Sequence, residues 1–230
     1  MRSLSGRVID DIKFHHPASI QVIGASGTGK TKFVEKLIRH QFFTKKIRHV
    51  FYFGAINNLP IDWDNKLPDD ITIKYQEGLP TTSDFINVPK RSVIVIDDQF
   101  SDAVNSPDIN RAFTNDRRKF DFNLILITQN PFEKGKFTTG NRRNTEITVL
   151  LRMYADQSHF KVFGKQYGVE RELEEAVKDM KSRPEDVHAH IVINGSIKLK
   201  DQNLRVMSNI FGDSPYLQPS LPICYTQKHH

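Results

Sequence analysis

A glycine-rich segment that ends in a lysine and a threonine carries the first chemical signal in this sequence. It matches the pattern G-x-x-x-x-G-K-[ST] and consists of Gly24, Ala25, Ser26, Gly27, Thr28, Gly29, Lys30 and Thr31. Glycines let a backbone wrap closely around phosphate oxygens, and successive N–H groups then form an anion-binding nest. In such a phosphate loop Lys30 reaches the β and γ phosphates of a nucleotide, and the hydroxyl of Thr31 ligates Mg²⁺. The segment therefore predicts a site for ATP and Mg²⁺.

Two aspartates follow a buried-strand pattern further along the chain. The run SVIVIDDQF contains Asp97 and Asp98. A carboxylate at the end of such a strand meets the Mg²⁺ of a phosphate loop, and we assign this role to Asp97. Asp98 is then predicted to polarise the attacking water as a general base. Gln129 ends the next strand, NLILITQN, and its amide is predicted to sense the γ-phosphate or to orient water. Solvated polar side chains in turns are the alternative.

A parallel sheet is needed to bring these strand ends together. Residues 92–96, 124–127 and 147–151 are continuous apolar runs, which are typical of parallel strands buried on both faces. The strand before Gln129 follows the acidic strand, and in the inserted-strand (ASCE) branch of P-loop NTPases such a strand lies between the phosphate-loop strand and the acidic strand. We therefore predict an α/β P-loop NTPase fold of this branch, with a mostly parallel central sheet flanked by helices.

The carboxy-terminal part of the chain predicts a helix, a hairpin and a tail. Residues 169–180 carry apolar side chains at helical spacing. Residues 190–194 and 197–200 are separated by Gly-Ser and predict a C-terminal β-hairpin. Several prolines mark the last stretch as extended. We expect an ATPase domain over residues 1–212 and a tail over residues 213–230.

The composition is that of a soluble globular protein. Of the 230 residues, 38% are hydrophobic and 26% are charged, and the net charge of +6 is compatible with a polyanionic partner. The single cysteine, Cys224, excludes a disulfide within the chain and favours a reducing compartment. No apolar run approaches the ~20 residues of a membrane helix, and the first residues lack the apolar core of a secretory signal. These features predict an intracellular protein without a membrane partner.

Three longer segments resemble one family of motors. They are HPASIQVIGASGTGKTKFVEKLIRHQ, VIVIDDQF and FNLILITQNPFEKGKFTTGNRRNTEITVLLRMYADQSHF. Together they resemble the genome-packaging ATPases of the FtsK/HerA superfamily, in particular those of Polinton/Maverick elements, adintoviruses, virophages and large nucleocytoplasmic DNA viruses. The resemblance runs from about His16 to Tyr167, and its most specific part lies between Asn123 and Phe160.

The resemblance implies an activity and an assembly. It implies a homo-oligomeric ring that threads double-stranded DNA into a capsid at the expense of ATP, with capsid proteins as further partners. It also implies that an arginine from one subunit completes the site of its neighbour. By position, Arg142 or Arg143 matches that arginine best, and Arg118 is the next candidate.

Basic residues flank the strand that ends at Gln129. Loops at strand ends of an α/β sheet gather at one rim, so these residues are predicted to form a positive patch that contacts DNA phosphates. Surface charge balanced by nearby acids is the alternative. The residues are Arg117, Arg118, Lys119, Lys134, Lys136, Arg142 and Arg143.

The sequence leaves two alternative functions open. A small-molecule or nucleoside kinase would need an acceptor pocket and a lid, for which the helix at residues 169–180 is the one candidate. A nucleotide-dependent assembly protein with low turnover would share the phosphate loop. His188 and His190 alternate on one strand, but two histidines without a cysteine or acidic partner are predicted to be surface or core residues rather than metal ligands.

Overall fold

Runs of apolar residues form the strands that the sequence predicts, and the helices lie between them. The computed structural model describes residues 2–3, 12–55, 60–97, 100–152, 158–217 and 220–226. The strands are β1 (Arg2–Ser3), β2 (Ser19–Ile23), β3 (His49–Gly54), β4 (Thr72–Glu77), β5 (Ser92–Asp97), β6 (Phe122–Thr128), β7 (Ile147–Leu151), β8 (His190–Asn194), β9 (Val206–Ser208) and β10 (Ile223–Cys224). The α-helices are α1 (Lys30–Arg39), α2 (Thr82–Asn87), α3 (Phe100–Ala103), α4 (Pro107–Arg111), α5 (Arg117–Phe120), α6 (Thr138–Arg143), α7 (Ser158–Tyr167) and α8 (Glu170–Lys181).

The described residues divide into two compact units. The parallel unit comprises those within Phe14–Ile23 and Lys30–Glu146. The antiparallel unit comprises those within Met1–Lys13, Gly24–Gly29 and Ile147–His230. Each unit has its own strand order.

Five parallel strands form the sheet of the parallel unit, in the order β2-β6-β5-β3-β4. Strand β6 lies between β2, which leads into the phosphate loop, and β5, which ends at Asp97. The insertion predicted for the ASCE branch is therefore confirmed. The register pairs Ile23 with Thr128 and Asp97 with Ile127, so β2, β5 and β6 end at one edge of the sheet.

Helices α2 to α5 cover one face of this sheet. Phe85 from α2 stacks on Phe122 from β6 with ring centroids 5.5 Å apart, and both side chains are fully buried. Ile94 and Ile96 from β5 belong to the same apolar cluster. Because side chains alternate between the faces of a strand, Val95 and Asp97 point to the opposite face. The helical layer thus leaves Asp97 on the other side of the sheet.

The strands of the antiparallel unit pair in the order β1-β10-β9-β8-β7. Helix α8 packs in this unit and buries the predicted apolar stripe, including Leu173, Ala176 and Met180. Among the described residues, no helix is both long and apolar enough to cross a bilayer.

The predicted C-terminal hairpin exists as an antiparallel pair, but its second strand differs from the prediction. Strand β8 pairs with β9 at Val206–Ser208 rather than with residues 197–200. Ile197 is 91% exposed and lies in a turn, whereas Leu199 is buried, so the two apolar residues of 197–200 do not share one buried strand face. The tail reaches back into the unit, because β10 pairs with both β9 and β1, and Cys224 is buried.

Candidate functional site at the phosphate loop and the carboxyl edge

The phosphate loop occupies the six residues between the end of β2 and the start of α1. Within it, the backbone N–H and the hydroxyl of Thr28 both donate to the carbonyl oxygen of Ala25, at 3.4 Å and 2.8 Å. This turn buries Thr28 and leaves Ala25, Ser26 and Gly27 exposed. The loop therefore presents its backbone to solvent, as a phosphate-binding nest requires.

Two glycines in the loop occupy positions that a larger residue could not. Gly29 has a φ of +91°, in a region that side chains disfavour, and a Cβ there would lie 2.8 Å from Nδ1 of His188. At Gly24, a Cβ would lie 2.9 Å from Cβ of Leu151. Backbone strain and close packing thus explain why glycine stands at both fixed positions of the pattern.

The predicted metal ligands meet inside the parallel unit. The hydroxyl of Thr31, in the first turn of α1, donates to Oδ2 of Asp97, the last residue of β5, at 3.2 Å. A hydroxyl and a carboxylate at one point are oxygen ligands of the kind that Mg²⁺ prefers. The two side chains present thus fit a magnesium ion held between the loop helix and the acidic strand.

The other predicted nucleotide residues are placed as follows. Lys30 is the first residue of α1 and is partly exposed. Gln129 directly follows β6 and is exposed, two positions beyond Ile127, which pairs with Asp97. It therefore lies at the same edge as the metal ligands. Asp98, the predicted general base, lies outside the described residues.

Tyr52 is a site residue that the sequence did not point to. Its hydroxyl donates to Oδ2 of Asp97 from the neighbouring strand β3. The sequence presents Tyr52 as one more apolar strand residue, and only the register of β3 against β5 brings it to the carboxylate. The sequence signal for Tyr52 is a tyrosine that stands two residues before the end of a strand next to the acidic strand.

His188 is a second residue whose position was not predicted. Its Nδ1 donates to the carbonyl oxygen of Thr28 at 3.3 Å, since a carbonyl can only accept. His190 is buried and accepts from the N–H of Ile210 at 3.3 Å. His188 is exposed and lies in a turn, whereas His190 is the first residue of β8. In the described residues no group of three or more His, Cys, Asp or Glu side chains could hold a metal ion.

The three candidate arginines differ in their surroundings. Arg118 has a side chain that is 56% exposed and donates to Oε1 of Glu146 at 3.0 Å. Arg142 in α6 places its guanidinium 4.9 Å from the ring centre of Phe132, a cation–π contact. Arg143 ends α6 and is exposed. All three therefore have at least part of their surface accessible to a neighbour.

The predicted single positive rim is wrong. Arg117, Arg118 and Lys119 form α5, which precedes β6, whereas Lys134 and Lys136 come after its carboxyl end. A strand carries the chain from one edge of the sheet to the other, so these groups lie at opposite edges. Arg117 is moreover 1% exposed and cannot contact DNA.

Several solved structures with a similar fold are of one viral protein. The genome packaging NTPase B204 from Sulfolobus turreted icosahedral virus 2, in complex with AMP, matches at a TM-score of 0.51 and 11% identity, covering 78% of this chain and 93% of B204. Its complex with ATP-gammaS matches at 0.50 and 11% identity, covering 80% and 93%. Its complex with sulfate matches at 0.50 and 13% identity, covering 78% and 92%. No protein-family model and no curated protein matches this chain.

These findings define the class of fold. The β2-β6-β5 order, the glycine-rich loop between β2 and α1, and the likeness to B204 identify an α/β P-loop NTPase fold of the inserted-strand branch. The resemblance to genome-packaging ATPases that the sequence predicts is thus confirmed at the level of the fold.

Proposed function

We propose that this protein hydrolyses ATP to move double-stranded DNA, packaging a viral or virus-like genome into a capsid. The observation that carries the proposal is the contact of 3.2 Å between the Thr31 hydroxyl and the Asp97 carboxylate. It joins the last residue of the phosphate-loop pattern to the acidic strand, at the edge where β6 also ends. The likeness of the fold to a genome packaging NTPase supports the packaging role.

In this proposal the phosphate loop holds ATP. Residues 24–29 cradle the phosphates through backbone N–H groups, and the ammonium of Lys30 contacts the β and γ phosphates. Thr31 and Asp97 hold the magnesium ion. When bound, that ion neutralises charge that develops on the phosphates during hydrolysis.

Turnover needs a water molecule and a base. Asp98 follows the metal-binding Asp97 directly in the chain and takes the proton of the attacking water. The amide of Gln129, at the same edge of the sheet, orients that water or senses the γ-phosphate. Loss of the γ-phosphate then changes the contacts of Gln129 at the end of β6.

The arginine that completes the site comes from a neighbouring subunit in a ring. Arg143 suits this role because it is exposed at the end of α6, and Arg142 beside it is steadied by the ring of Phe132. Arg118 is the further candidate. The ring works inside the infected cell, and capsid proteins are its further partners.

Contact with DNA falls to the loop after β6. Lys134 and Lys136 are both exposed. The N–H of Lys136 donates to Oδ1 of Asn105 at 3.0 Å, and the N–H of Phe137 donates to the carbonyl oxygen of Val104 at 2.8 Å. These contacts hold the loop on the segment that follows α3, so movement at the carboxyl edge can reach the lysines. Contacts to the phosphate backbone let a motor grip any sequence.

The test is steady-state ATP hydrolysis with and without double-stranded DNA, with particle size measured in the same samples. We expect ADP without any added acceptor, faster hydrolysis with DNA, and particles larger than a monomer. Lys30→Ala is the control, because it removes the mobile cation of the loop and should abolish the activity if it belongs to this protein. Hydrolysis that requires a small-molecule acceptor would establish a kinase instead, and nucleotide-driven assembly without turnover would establish a scaffold.

A further inference from the structure

The carboxylate assigned to the metal ion has a second, buried hydroxyl against it. Oη of Tyr52 donates a hydrogen bond to Oδ2 of Asp97, the oxygen that also accepts from Thr31. The side chain of Tyr52 is fully buried, so water does not compete for this contact. We infer that Tyr52 is a positioning residue that fixes the Asp97 carboxylate for magnesium and thereby sets the metal affinity of the nucleotide site. This inference rests on the proposed function.

The sheet explains how a residue two positions from a strand end reaches that carboxylate. In the register of β3 against β5, Tyr52 pairs with Val95 and Phe53 with Ile96, so the next pair would be Gly54 and Asp97. Gly54 has no side chain to offer. Tyr52 and Asp97 point to the same face and are diagonal neighbours, a separation that an aromatic side chain spans. The hydroxyl of Tyr52 therefore occupies the space beside Asp97 that Gly54, which has no side chain, leaves open.

Neighbouring aromatic side chains hold the Tyr52 ring in place. Trp63 packs edge-on against it, with ring centroids 5.1 Å apart and an interplanar angle of 85°. Tyr75, its partner on β4, lies 6.2 Å away between ring centroids and anchors its own hydroxyl on the carbonyl oxygen of Pro60 at 3.0 Å. Trp63 is 2% exposed. A ring packed in this way keeps its hydroxyl at one point, which is what orienting a metal ligand requires.

The hydroxyl of Tyr52 acts as a donor towards Asp97, because a carboxylate oxygen accepts. This contact with Oδ2 restricts rotation of the carboxylate and keeps it in one orientation, as partners behind a metal ligand do.

The test compares Tyr52→Phe with Tyr75→Phe. The first variant keeps the ring and removes the hydroxyl on Asp97, and the second removes a nearby tyrosine hydroxyl that contacts Pro60 instead. Binding of Mn²⁺ to the ATP complex is measured by electron paramagnetic resonance, and ATP hydrolysis is titrated with Mg²⁺. Binding of a fluorescent ATP analogue in chelator gives the metal-free affinity. Thermal melting reports the folded state of each variant.

We expect Tyr52→Phe to weaken metal affinity by about 10-fold to 100-fold, as loss of a partner behind a metal ligand commonly does. Excess metal should restore most of the hydrolysis rate, and metal-free nucleotide binding should stay unchanged. Tyr75→Phe should behave as the unaltered protein in all three assays. Equal metal affinity in Tyr52→Phe and Tyr75→Phe would overturn the inference, and so would an equal loss of metal-free binding and metal affinity.

A double variant keeps the test decisive if Tyr52→Phe alters folding. In an Asp97→Ala background the further change Tyr52→Phe should leave the residual Mn²⁺ affinity unaltered, because the carboxylate that Tyr52 positions is gone. A further loss of the same size as in the unaltered protein would show that Tyr52 acts elsewhere. Failure of the proposed function is distinguishable from both results, because then the unaltered protein would bind nucleotide with no dependence on metal.

Discussion

Two arginines that share one carboxylate oxygen allow a test of how burial changes the contribution of an ion pair to the free energy of unfolding. Oε1 of Glu146 accepts from Arg117 at 2.8 Å and from Arg118 at 3.0 Å. The side chain of Arg117 is 1% exposed, whereas that of Arg118 is 56% exposed. Burial lowers the pKa of the Arg117 guanidinium, and the charge of Glu146 acts in the opposite direction. The carboxylate is therefore needed to compensate a buried cation.

The perturbation is Glu146→Gln, with Arg118→Gln as the matched control. Removing the charge partner of a buried ion costs about 3–5 kcal/mol. We expect Glu146→Gln to lower the free energy of unfolding by about 3 kcal/mol, the lower end of that range, because the new amide oxygen can still accept from Arg117. Arg118→Gln breaks only an exposed pair, and such pairs contribute at most about 1 kcal/mol.

The assay is urea unfolding followed by circular dichroism, at low salt and at high salt. The loss for Arg118→Gln should vanish at high salt because exposed charges are screened, whereas the loss for Glu146→Gln should persist. Equal losses for the two variants, or a loss for Glu146→Gln that salt removes, would refute the reasoning. Because Arg118→Gln should stay folded, any fall in its ATPase rate would report a role of Arg118 in turnover.

Three further predictions concern DNA, assembly and pH. Replacing Lys134 and Lys136 with alanine should make the plot of the logarithm of duplex affinity against the logarithm of salt concentration shallower by about 2, because each phosphate contact contributes ~0.9 to the slope. Nucleotide binding should be unchanged. Anisotropy titrations measure the slope, and an unchanged slope would exclude both lysines from the interface. If Arg143 acts in trans, mixing Arg143→Ala with Lys30→Ala subunits should restore some turnover in a coupled ATPase assay, and full activity in a dilute monomer would contradict that role. Burial lowers the pKa of His16 below 6.5 despite the nearby charge of Asp121. The stability that this group contributes is therefore present above that pH and is lost as the pH falls. Urea unfolding should show a fall in the free energy of unfolding at acidic pH, and this fall should be smaller in His16→Asn.

The sequence was sufficient for the parts of the fold that depend on local pattern. Runs such as residues 93–96 and 124–127 are apolar throughout, which predicts buried parallel strands, and their chain order predicts the inserted strand. The phosphate loop was recognisable because its glycines, lysine and threonine stand at fixed spacing. The same patterns locate both partners of the Thr31–Asp97 contact, because Thr31 follows the glycines of the loop and Asp97 ends an apolar strand.

The missed features depend on register and on direction, which a local pattern does not contain. Tyr52 reaches Asp97 diagonally across two strands, so its role appears only once β3 and β5 are aligned. The predicted second strand of the hairpin is wrong because apolar residues at 197–200 alternate as in a strand, although Ile197 is exposed. The single positive rim failed because Arg117 and Lys134 lie near opposite ends of β6. Residues that flank one strand closely in sequence thus lie far apart in space.

The distance between the two ends of a strand also limits which arginine could act at the nucleotide site of its own chain. The carbonyl oxygen of Asn144, which directly follows Arg143, accepts from the hydroxyl of Ser19 at 2.7 Å. The N–H of Glu146, the partner of Arg118, donates to the carbonyl oxygen of Ser19 at 3.0 Å. Ser19 is the first residue of β2, so both contacts lie at the amino end of the strand.

The predicted magnesium ligands lie at the other end. Strand β2 runs from Ser19 to Ile23, and Ile23 pairs with Thr128 at the edge where Asp97 ends β5. Four steps of about 3.3 Å separate the two ends of β2 by about 13 Å, which is longer than an arginine side chain. Arg118 in its contact with Glu146 is therefore unable to touch a phosphate held beside Asp97 of its own chain. An arginine at that amino end can serve hydrolysis only in the site of a second subunit, so a functional Arg118 would require an oligomer as the active species.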